Sequence, residues 1–162
     1  MNEVSGDALK DAMRHFITGV TVVTSIKDEE PRGVTVSAFA SVSLEPPTVL
    51  ICINLQARSY LYISTSKIFC VNILSNGQQA LAERFSGKLR ENQFEGVDYA
   101  IDATGAAVIK GALAHLDCEV VQEHHVGSHS IFIGRVLSIA TSDGLPLTYF
   151  NGAYTAPGET GK

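Results

Sequence analysis

Apolar and polar residues alternate most clearly between Gly33 and Ser43. The even positions form a small apolar face, and the odd positions carry four hydroxyls and one aromatic ring. In order, the segment reads Gly33, Val34, Thr35, Val36, Ser37, Ala38, Phe39, Ala40, Ser41, Val42 and Ser43. A period of two predicts a β-strand. Short uncharged hydroxyls allow a flat polar molecule to lie close, so the pattern indicates a ligand site, although an ordinary half-buried strand also favours threonine.

Strand-like segments continue on both sides of this pattern. Val20 to Lys27 is predicted to pair with it as a hairpin across the charged turn Asp28–Pro31. Further strands are predicted over Thr48–Asn54, Lys67–Leu74, Ala112–Val126 and Ser130–Ala140, with a short last strand in Pro146–Tyr154. Pro46 and Pro47 break the chain before the first of these. Gly127 and Ser128 form a turn signal between the two longest.

Helical spacing of apolar residues occurs in three short segments. The first, Ala8 to Ile17, ends before Gly19 and is expected to lie on the core. The second and third are Arg58–Ser64 and Asn76–Phe85, and Asn76 is the expected cap of the third. Strands in excess over short helices predict a mainly β fold, an antiparallel barrel or sandwich with helices packed outside.

The chain of 162 residues is expected to form a single domain over 1–162, with its core at about 8–154 and a flexible tail over 155–162. Charged residues make up 18% and the net charge is −5, with Lys and Arg scattered singly, which argues against a nucleic-acid or anionic-membrane surface. The apolar runs are too short to span a bilayer, and no signal-peptide pattern occurs. Three cysteines in apolar segments indicate reduced thiols in a cytoplasmic protein.

Candidate chemistry lies first at the predicted start of the second helix. Between Asn54 and Ser59, backbone N–H groups, the Arg58 guanidinium and the Ser59 hydroxyl could bind a phosphate. Simple capping of the helix by Ser59 is the competing interpretation. None of the 14 glycines has G-x-G spacing, and Walker A, HExxH and GxSxG motifs are absent from the sequence.

Two more positions could contact a ligand. Phe85 closes the third helix, where an aromatic ring can cover a planar ligand, although such a ring is more often part of the core. His129 follows the Gly127–Ser128 turn, where an imidazole can hydrogen-bond a ligand at the mouth of a barrel, although a turn histidine is usually just solvated. His124 and His125 face opposite ways on a strand, so no metal site is expected.

Several segments together resemble the short-chain flavin reductases, the small components of two-component flavin-dependent monooxygenases. These segments are FITGVTVVTS, GVTVSAFASVSLEPPTVLICIN, FCVNILSNGQQALAERFSG, GALAHLDCEVVQEHHVGSHSIFIGRVLS and PLTYFNGAY. They extend from Phe16 to Tyr154 in the order and spacing of the family. The resemblance implies an FMN-binding split β-barrel that forms a homodimer, with FMN or FAD bound near the subunit interface.

The resemblance also implies which residues meet the cofactor. The segment Thr35–Ser43 would wrap the isoalloxazine ring, Ile53–Ser59 would hold the ribityl and phosphate groups, and Phe85 would lie against the cofactor region. The implied cofactor-binding residues are Thr35, Val36, Ser37, Ala38, Ser41, Val42, Ser43, Ile53, Asn54, Arg58, Ser59, Phe85 and Tyr154. His129, in the place of the histidine of the family's Gly-Asp-His triplet, is the one candidate catalytic residue, with an assisting role near the nicotinamide. Ser128 replaces the family's aspartate, which leaves open what orients the imidazole.

The activity implied is that of an NAD(P)H:flavin oxidoreductase that transfers hydride from nicotinamide C4 to flavin N5 and supplies reduced flavin to a partner monooxygenase. The protein would stack the two rings at reactive distance and would need no side chain as acid, base or nucleophile. Two alternatives remain: a reductase that keeps its flavin and reduces a corrinoid or ferric chelate, and a non-enzymatic flavin-binding electron carrier. The sequence leaves FMN or FAD open, and it has no clear basic pocket for a 2′-phosphate, which favours NADH over NADPH.

Overall fold

The computed structural model describes residues 3–87 and 91–158. Most of these residues belong to strands. In chain order the strands are β1 (Thr18–Gly19), β2 (Thr21–Lys27), β3 (Glu30–Val36), β4 (Phe39–Leu44), β5 (Pro47–Asn54), β6 (Ile68–Ile73), β7 (Tyr99–Ile101), β8 (Ala107–Ile109), β9 (Ala114–Val126), β10 (His129–Thr141), β11 (Thr148–Phe150) and β12 (Ala153–Thr155). The α-helices are α1 (Gly6–Arg14), α2 (Arg58–Ser66) and α3 (Gln79–Phe85), and a 3₁₀ turn over Asn76–Gln78 precedes α3.

Seven antiparallel strands form the central sheet, in the order β3-β2-β6-β9-β10-β5-β4. The two edge strands, β3 and β4, are consecutive in the chain and are joined only by Ser37 and Ala38. The sheet must therefore curl until the end of β3 approaches the start of β4, and the Cys52 N–H of β5 donates to the Ala38 carbonyl in the connection at 3.1 Å. This closure makes a split β-barrel, so the predicted mainly β fold is confirmed.

The prediction of one continuous strand from Gly33 to Ser43 is wrong. The segment forms β3 and β4 on opposite edges, so a period of two cannot be counted across Ser37 and Ala38. A register shift between Ser41 and Ser43 disturbs the pattern again in β4, and Val42 is 50% exposed instead of lying on an apolar inner face.

The hairpins expected on either side are confirmed. β2 pairs with β3 from Thr21↔Val36 to Lys27↔Glu30. β9 and β10 form the longest hairpin, closed by Gly127 and Ser128. The predicted last strand is instead a hairpin of β11 and β12, and β1 pairs with β11 to complete a small separate sheet.

Two clusters of buried side chains form the core. One fills the barrel, with Ile51, Phe69 and Phe132 among its fully buried members. The other lies between the barrel and α3 and includes Phe85. A carboxylate of β9 is buried as well: Asp117 is fully buried and accepts hydrogen bonds from the Thr104 N–H and hydroxyl at 2.8 and 2.5 Å.

The expectation that the first helix lies on the core is wrong. α1 has no buried residue, and Met13 on its apolar side is 52% exposed. Nothing else in the described part of the chain covers that side. The cap of the third helical segment also differs: Ser75, not Asn76, is the N-cap residue, and Gln78 Oε1 accepts from the Ser75 N–H at 3.0 Å.

Parts of two predictions fall outside the described residues. These are residues 88–90 of the predicted polar loop and residues 159–162 of the predicted tail. Among the described residues, no helix is long and apolar enough to cross a bilayer. The same part of the chain holds no group of His, Cys, Asp and Glu side chains suited to a metal ion.

Candidate active site

The end of β3, where the chain crosses between the two sheet edges, is surrounded by clefts. The first cleft has a volume of about 460 Å³ and lies between β3, α2 and the loop that precedes α2. Two more, of about 240 and 470 Å³, share Thr35 with it. Most of the residues predicted to contact a ligand line these three clefts: Thr35, Val36, Ser37, Ala38, Ile53, Asn54, Arg58, Ser59, Phe85, His129 and Tyr154.

The start of α2 forms one end of the first cleft. Ala57 is the N-cap residue and supplies no side-chain hydrogen bond to the helix. Asn54 shapes the preceding turn, because its Oδ1 accepts from the Gln56 N–H at 2.8 Å. Ser59 is nearly buried and donates to the Gly33 carbonyl at 3.2 Å, so the interpretation of Ser59 as a simple cap is wrong. The first N–H groups of α2 and the Arg58 guanidinium are therefore the candidate donors to an anion at this end.

A second guanidinium, which the sequence pattern did not reveal, also lines this cleft. Arg32 is only 5% exposed, and its Nη2 lies 2.9 Å from Glu30 Oε1. Gln93 holds its other side, because Gln93 Oε1 accepts from Arg32 Nη1 and from the Gly33 N–H, each at 3.3 Å. In the sequence, Arg32 looks like an ordinary charged residue beside the Asp28–Pro31 turn, and Gln93 lies in a polar loop without a motif. Neither residue is therefore recognised as part of a site from the sequence alone.

Phe85 is both a core residue and a residue of the cleft wall. Its ring is 1% exposed and packs against Phe94 at 5.1 Å between centroids, so it belongs to the core. It also lines the first cleft, and a Cβ on Gly33 would lie 2.7 Å from Phe85 Cδ1. The Phe85 ring therefore leaves room only for glycine at position 33. This close contact places the β3 backbone at the wall of the cleft.

The hydroxyls of the alternating segment have different tasks. Thr35 donates to the Ala82 carbonyl at 2.6 Å and ties β3 to α3. Ser43 exchanges two hydrogen bonds of 3.1 Å with the Glu45 backbone in the turn before β5. Ser37 is exposed and lines two of the clefts. Ser41, Val42 and Ser43 lie along β4, outside the clefts described.

His129 lies in the 240 Å³ cleft, opposite the backbone of Val34–Ala38. It is the first residue of β10 and pairs with Asn54 of β5, so the sheet fixes its position. Ser128 Oγ lies 2.9 Å from His129 Nδ1. A hydroxyl therefore occupies the place where the resemblance expects a carboxylate, and it orients the ring while leaving Nε2 for a ligand.

One thiol lies in this cleft, that of Cys52. Partial burial raises its pKa, which favours the protonated form at neutral pH. Burial also raises the pKa of Cys118, to about 12. All three cysteines are free.

Aromatic rings form the wall of the 470 Å³ cleft. Tyr149 and Tyr154 contact each other edge to face, with centroids 5.3 Å apart. Partial burial raises the pKa of Tyr154, so the phenol stays neutral. The clefts offer cations and N–H groups at the start of α2, uncharged backbone from Thr35 to Ala38 with His129 in the same cleft, and aromatic rings in the 470 Å³ cleft. This arrangement suits a planar molecule with a phosphate tail.

The chain is similar to known proteins over nearly its whole length. A family model described as "Flavin reductase like domain" matches residues 13–158. The chain is 37% identical to "Flavin-dependent monooxygenase, reductase subunit HsaB" of Rhodococcus jostii (strain RHA1), with 96% of this chain and 85% of that protein covered. It is 39% identical to "FMN reductase (NADH) SmoA" of Agrobacterium fabrum, with 91% and 83% covered.

A solved structure agrees with the fold. "Streptomyces globisporus C-1027 NADH:FAD oxidoreductase SgcE6 in complex with NAD and FAD fragments" superimposes with a TM-score of 0.91 at 32% identity, and all of both chains is covered. The shared architecture extends through the strands that carry the three clefts.

Proposed function

Because the chain belongs to the family of flavin reductase-like domains, we propose that it reduces FMN or FAD with NADH and supplies the reduced flavin to a partner monooxygenase. One observation carries this proposal: the start of α2 with its cation and the uncharged backbone from Thr35 to Ala38 line adjoining clefts at the same end of β3, and His129 lies in the second of these clefts. A flavin mononucleotide joins a phosphate to a planar polar ring through a ribityl chain, so its two ends match these two clefts.

The residues present fit a flavin. Arg58, Ser59 and the N–H groups that begin α2 would bind the phosphate, and Arg32 adds a second positive charge. The ring would lie along the backbone from Thr35 to Ala38. Ile53, Asn54, Phe85 and Tyr154 complete the proposed contacts, and Val36 contributes its backbone. Ser41, Val42 and Ser43 stay predictions, since their strand lies outside the clefts.

Bound flavin supplies the ring that accepts hydride, and the protein holds the flavin and nicotinamide rings in position. The Thr35 and Ser59 hydroxyls each donate to a backbone carbonyl. Each can therefore accept a hydrogen bond from a ligand and keep its bond to the carbonyl, but must break that bond to donate to a ligand. Backbone N–H groups and Arg58 are thus the main donors to the flavin. His129, oriented by Ser128, would hydrogen-bond the nicotinamide and hold it against the ring.

The first experiment measures NADH oxidation by the purified protein with and without FMN, FAD and riboflavin. We expect turnover that requires added flavin and saturates with it. Flavin that stays bound through several gel-filtration runs, with electrons passed to a ferric chelate or corrinoid, would favour the flavin-retaining alternative. Bound flavin without NADH oxidation would mean an electron carrier and would overturn the proposal.

His129→Ala should raise KM for NADH about tenfold, because one hydrogen bond to the nicotinamide is lost, and should leave the Kd for flavin within twofold. Steady-state kinetics and flavin fluorescence titration measure the two quantities. Exposed His124, which lies outside the clefts, provides the matched control His124→Ala. Unchanged NADH kinetics in His129→Ala would remove this residue from the site.

Arg58→Gln should weaken FMN roughly fivefold and riboflavin less than twofold, because only FMN carries a phosphate. Fluorescence titration of both flavins gives the comparison. Arg58 is exposed, so the variant should keep the Tm of the wild type. Equal weakening of FMN and riboflavin would contradict the phosphate site at α2.

A second copy of the chain is proposed to cover the outer face of β4, β5 and β10. Ala40, Leu50 and Ile133 are aligned across these strands in one row, and Cys52 and Ile131 are aligned in the next. All five are apolar and remain exposed or half-buried in one chain. Since Cys52 also lines the His129 cleft, a dimer through this face would place the cleft beside the interface.

Ile133→Arg should convert the dimer to a monomer, because a charge would be buried at the interface. Light scattering coupled to gel filtration gives the mass. Ile101→Arg on β7, which is 58% exposed, is the control and should leave the mass unchanged. A wild-type protein that is monomeric at micromolar concentration would contradict this interface.

The three free thiols fit a reducing compartment, and we propose the cytoplasm.

A further inference from the structure

A single side chain fixes the turn over residues 92–95, which contributes to the wall of the first cleft. Arg84, near the end of α3, donates to three backbone carbonyls of this turn. Its Nε lies 2.7 Å from the Gln93 oxygen, and its Nη2 lies 2.5 and 3.4 Å from those of Glu95 and Asn92. The donors of a guanidinium have fixed directions, so three such bonds leave the turn little freedom. Arg84 itself lies outside the clefts described above.

Aromatic packing holds the same turn from the core side. The Phe94 ring lies 5.1 Å from that of Phe85 and 5.2 Å from that of Tyr99, measured between centroids. The Glu95 N–H also donates to the Asn92 carbonyl at 3.1 Å within the turn. Gln93 therefore starts from a backbone that is held on both sides, and its side chain is only 8% exposed.

The orientation of the Gln93 carboxamide follows from its neighbours. Arg32 Nη1 and the Gly33 N–H both lie 3.3 Å from it, and both can only donate. The amide oxygen must therefore face these two donors, and the N–H₂ group must face elsewhere. Gln93 lines the first cleft, and its Nε2 makes no hydrogen bond within residues 3–87 and 91–158. The N–H₂ group is thus a donor that a ligand in the cleft can use.

Gly33 connects this carboxamide to the start of α2. Its N–H donates to Gln93, and its carbonyl accepts from the Ser59 hydroxyl at 3.2 Å. Gln93 and the first turn of α2 are therefore attached to the same residue of β3. The guanidinium groups of Arg32 and Arg58 line the same cleft, so Gln93 adds an uncharged donor to its two cations.

We propose that Arg84 is a positioning residue for phosphate recognition and that it acts through Gln93. Arg84 would hold the turn so that the Gln93 oxygen keeps Arg32 in place while the Gln93 N–H₂ group donates to the flavin phosphate. The inference rests on the proposed function, which places this phosphate in the first cleft. The turn would then help the protein to select a phosphorylated flavin over riboflavin.

The first variant, Gln93→Glu, separates ligand contact from support of the fold. It keeps the size of the side chain and an oxygen for Arg32 and the Gly33 N–H, but it replaces the N–H₂ donor by a second carboxylate oxygen. We expect FMN to bind about tenfold more weakly, because a donor is lost and a negative charge faces the phosphate. Riboflavin should weaken by less than about twofold. Fluorescence titration measures both affinities without turnover.

The second variant, Arg84→Gln, tests the positioning role. FMN should weaken about fivefold and riboflavin by less than about twofold, since the turn is released but the ring site is not touched. Arg84→Lys should recover part of the FMN affinity, because one donor to the turn remains. Lys110→Gln is the control for loss of a positive charge: Lys110 Nζ lies 3.0 Å from Asp98 Oδ1, outside the clefts, and this variant should bind both flavins as the wild type does.

The double variant shows whether Arg84 acts through Gln93. Once Gln93→Glu has removed the donor, the further change Arg84→Gln should alter the Kd for FMN by less than about twofold. Independent effects would instead multiply, which would give a loss of about fiftyfold.

Three results would overturn the proposal: wild-type FMN affinity in Gln93→Glu, equal weakening of FMN and riboflavin in Arg84→Gln, or multiplied effects in the double variant. Equal weakening would mean that Arg84 only supports the fold, and a lower Tm would accompany it. If Arg84→Gln does not fold, the isosteric Gln93→Glu still decides the role of the carboxamide. Failure of the proposed function is recognised separately, because the wild type would then oxidise no NADH with FMN.

Discussion

The closure of the sheet at Ser37 and Ala38 is the constraint on which the rest of the structure depends. Two residues join the outermost strands β3 and β4, so the seven-stranded sheet has to curl until its edges meet. The end of β3 and the two connecting residues line the clefts at this closure. The start of α2, the end of α3, the β11–β12 hairpin and His129 all gather around this opening.

The opening is rigid because its polar groups are used by the fold. Thr35 bonds to α3, Ser59 bonds to β3, and Gln93 holds both Arg32 and the Gly33 N–H. Groups fixed in this way position a ligand instead of exchanging protons with it. That property suits hydride transfer between two cofactors, in which the reactive atoms belong to the cofactors and the protein sets their distance.

Much of this architecture could be predicted from local pattern. The period-two segments and the turn residues located the β2–β3 and β9–β10 hairpins, and the apolar run followed by Arg58 and Ser59 located the end of β5 and the start of α2. The crossing at Ser37 could not be predicted from periodicity, because a change of sheet edge leaves the alternation of residue types intact. Arg32 and Gln93 were missed for a similar reason: their role depends on contacts between residues about 60 positions apart.

The first helix shows a second limit of prediction from sequence pattern. Its apolar spacing correctly predicted a helix but not what covers it, and the structure leaves Phe16 and Met13 open. The neighbourhood of Lys10 and Arg14 shows the same limit, since these residues meet the aromatic hairpin only through the fold.

The most direct test of the central claim is a crystal structure of the protein with FMN bound. We expect the phosphate at the start of α2, within hydrogen-bond distance of Arg58 or Ser59, and the isoalloxazine ring against the backbone between Thr35 and Ala38. A flavin bound elsewhere, for instance with its ring between α1 and the β11–β12 hairpin, would contradict the claim that closure of the barrel at Ser37 creates the flavin site.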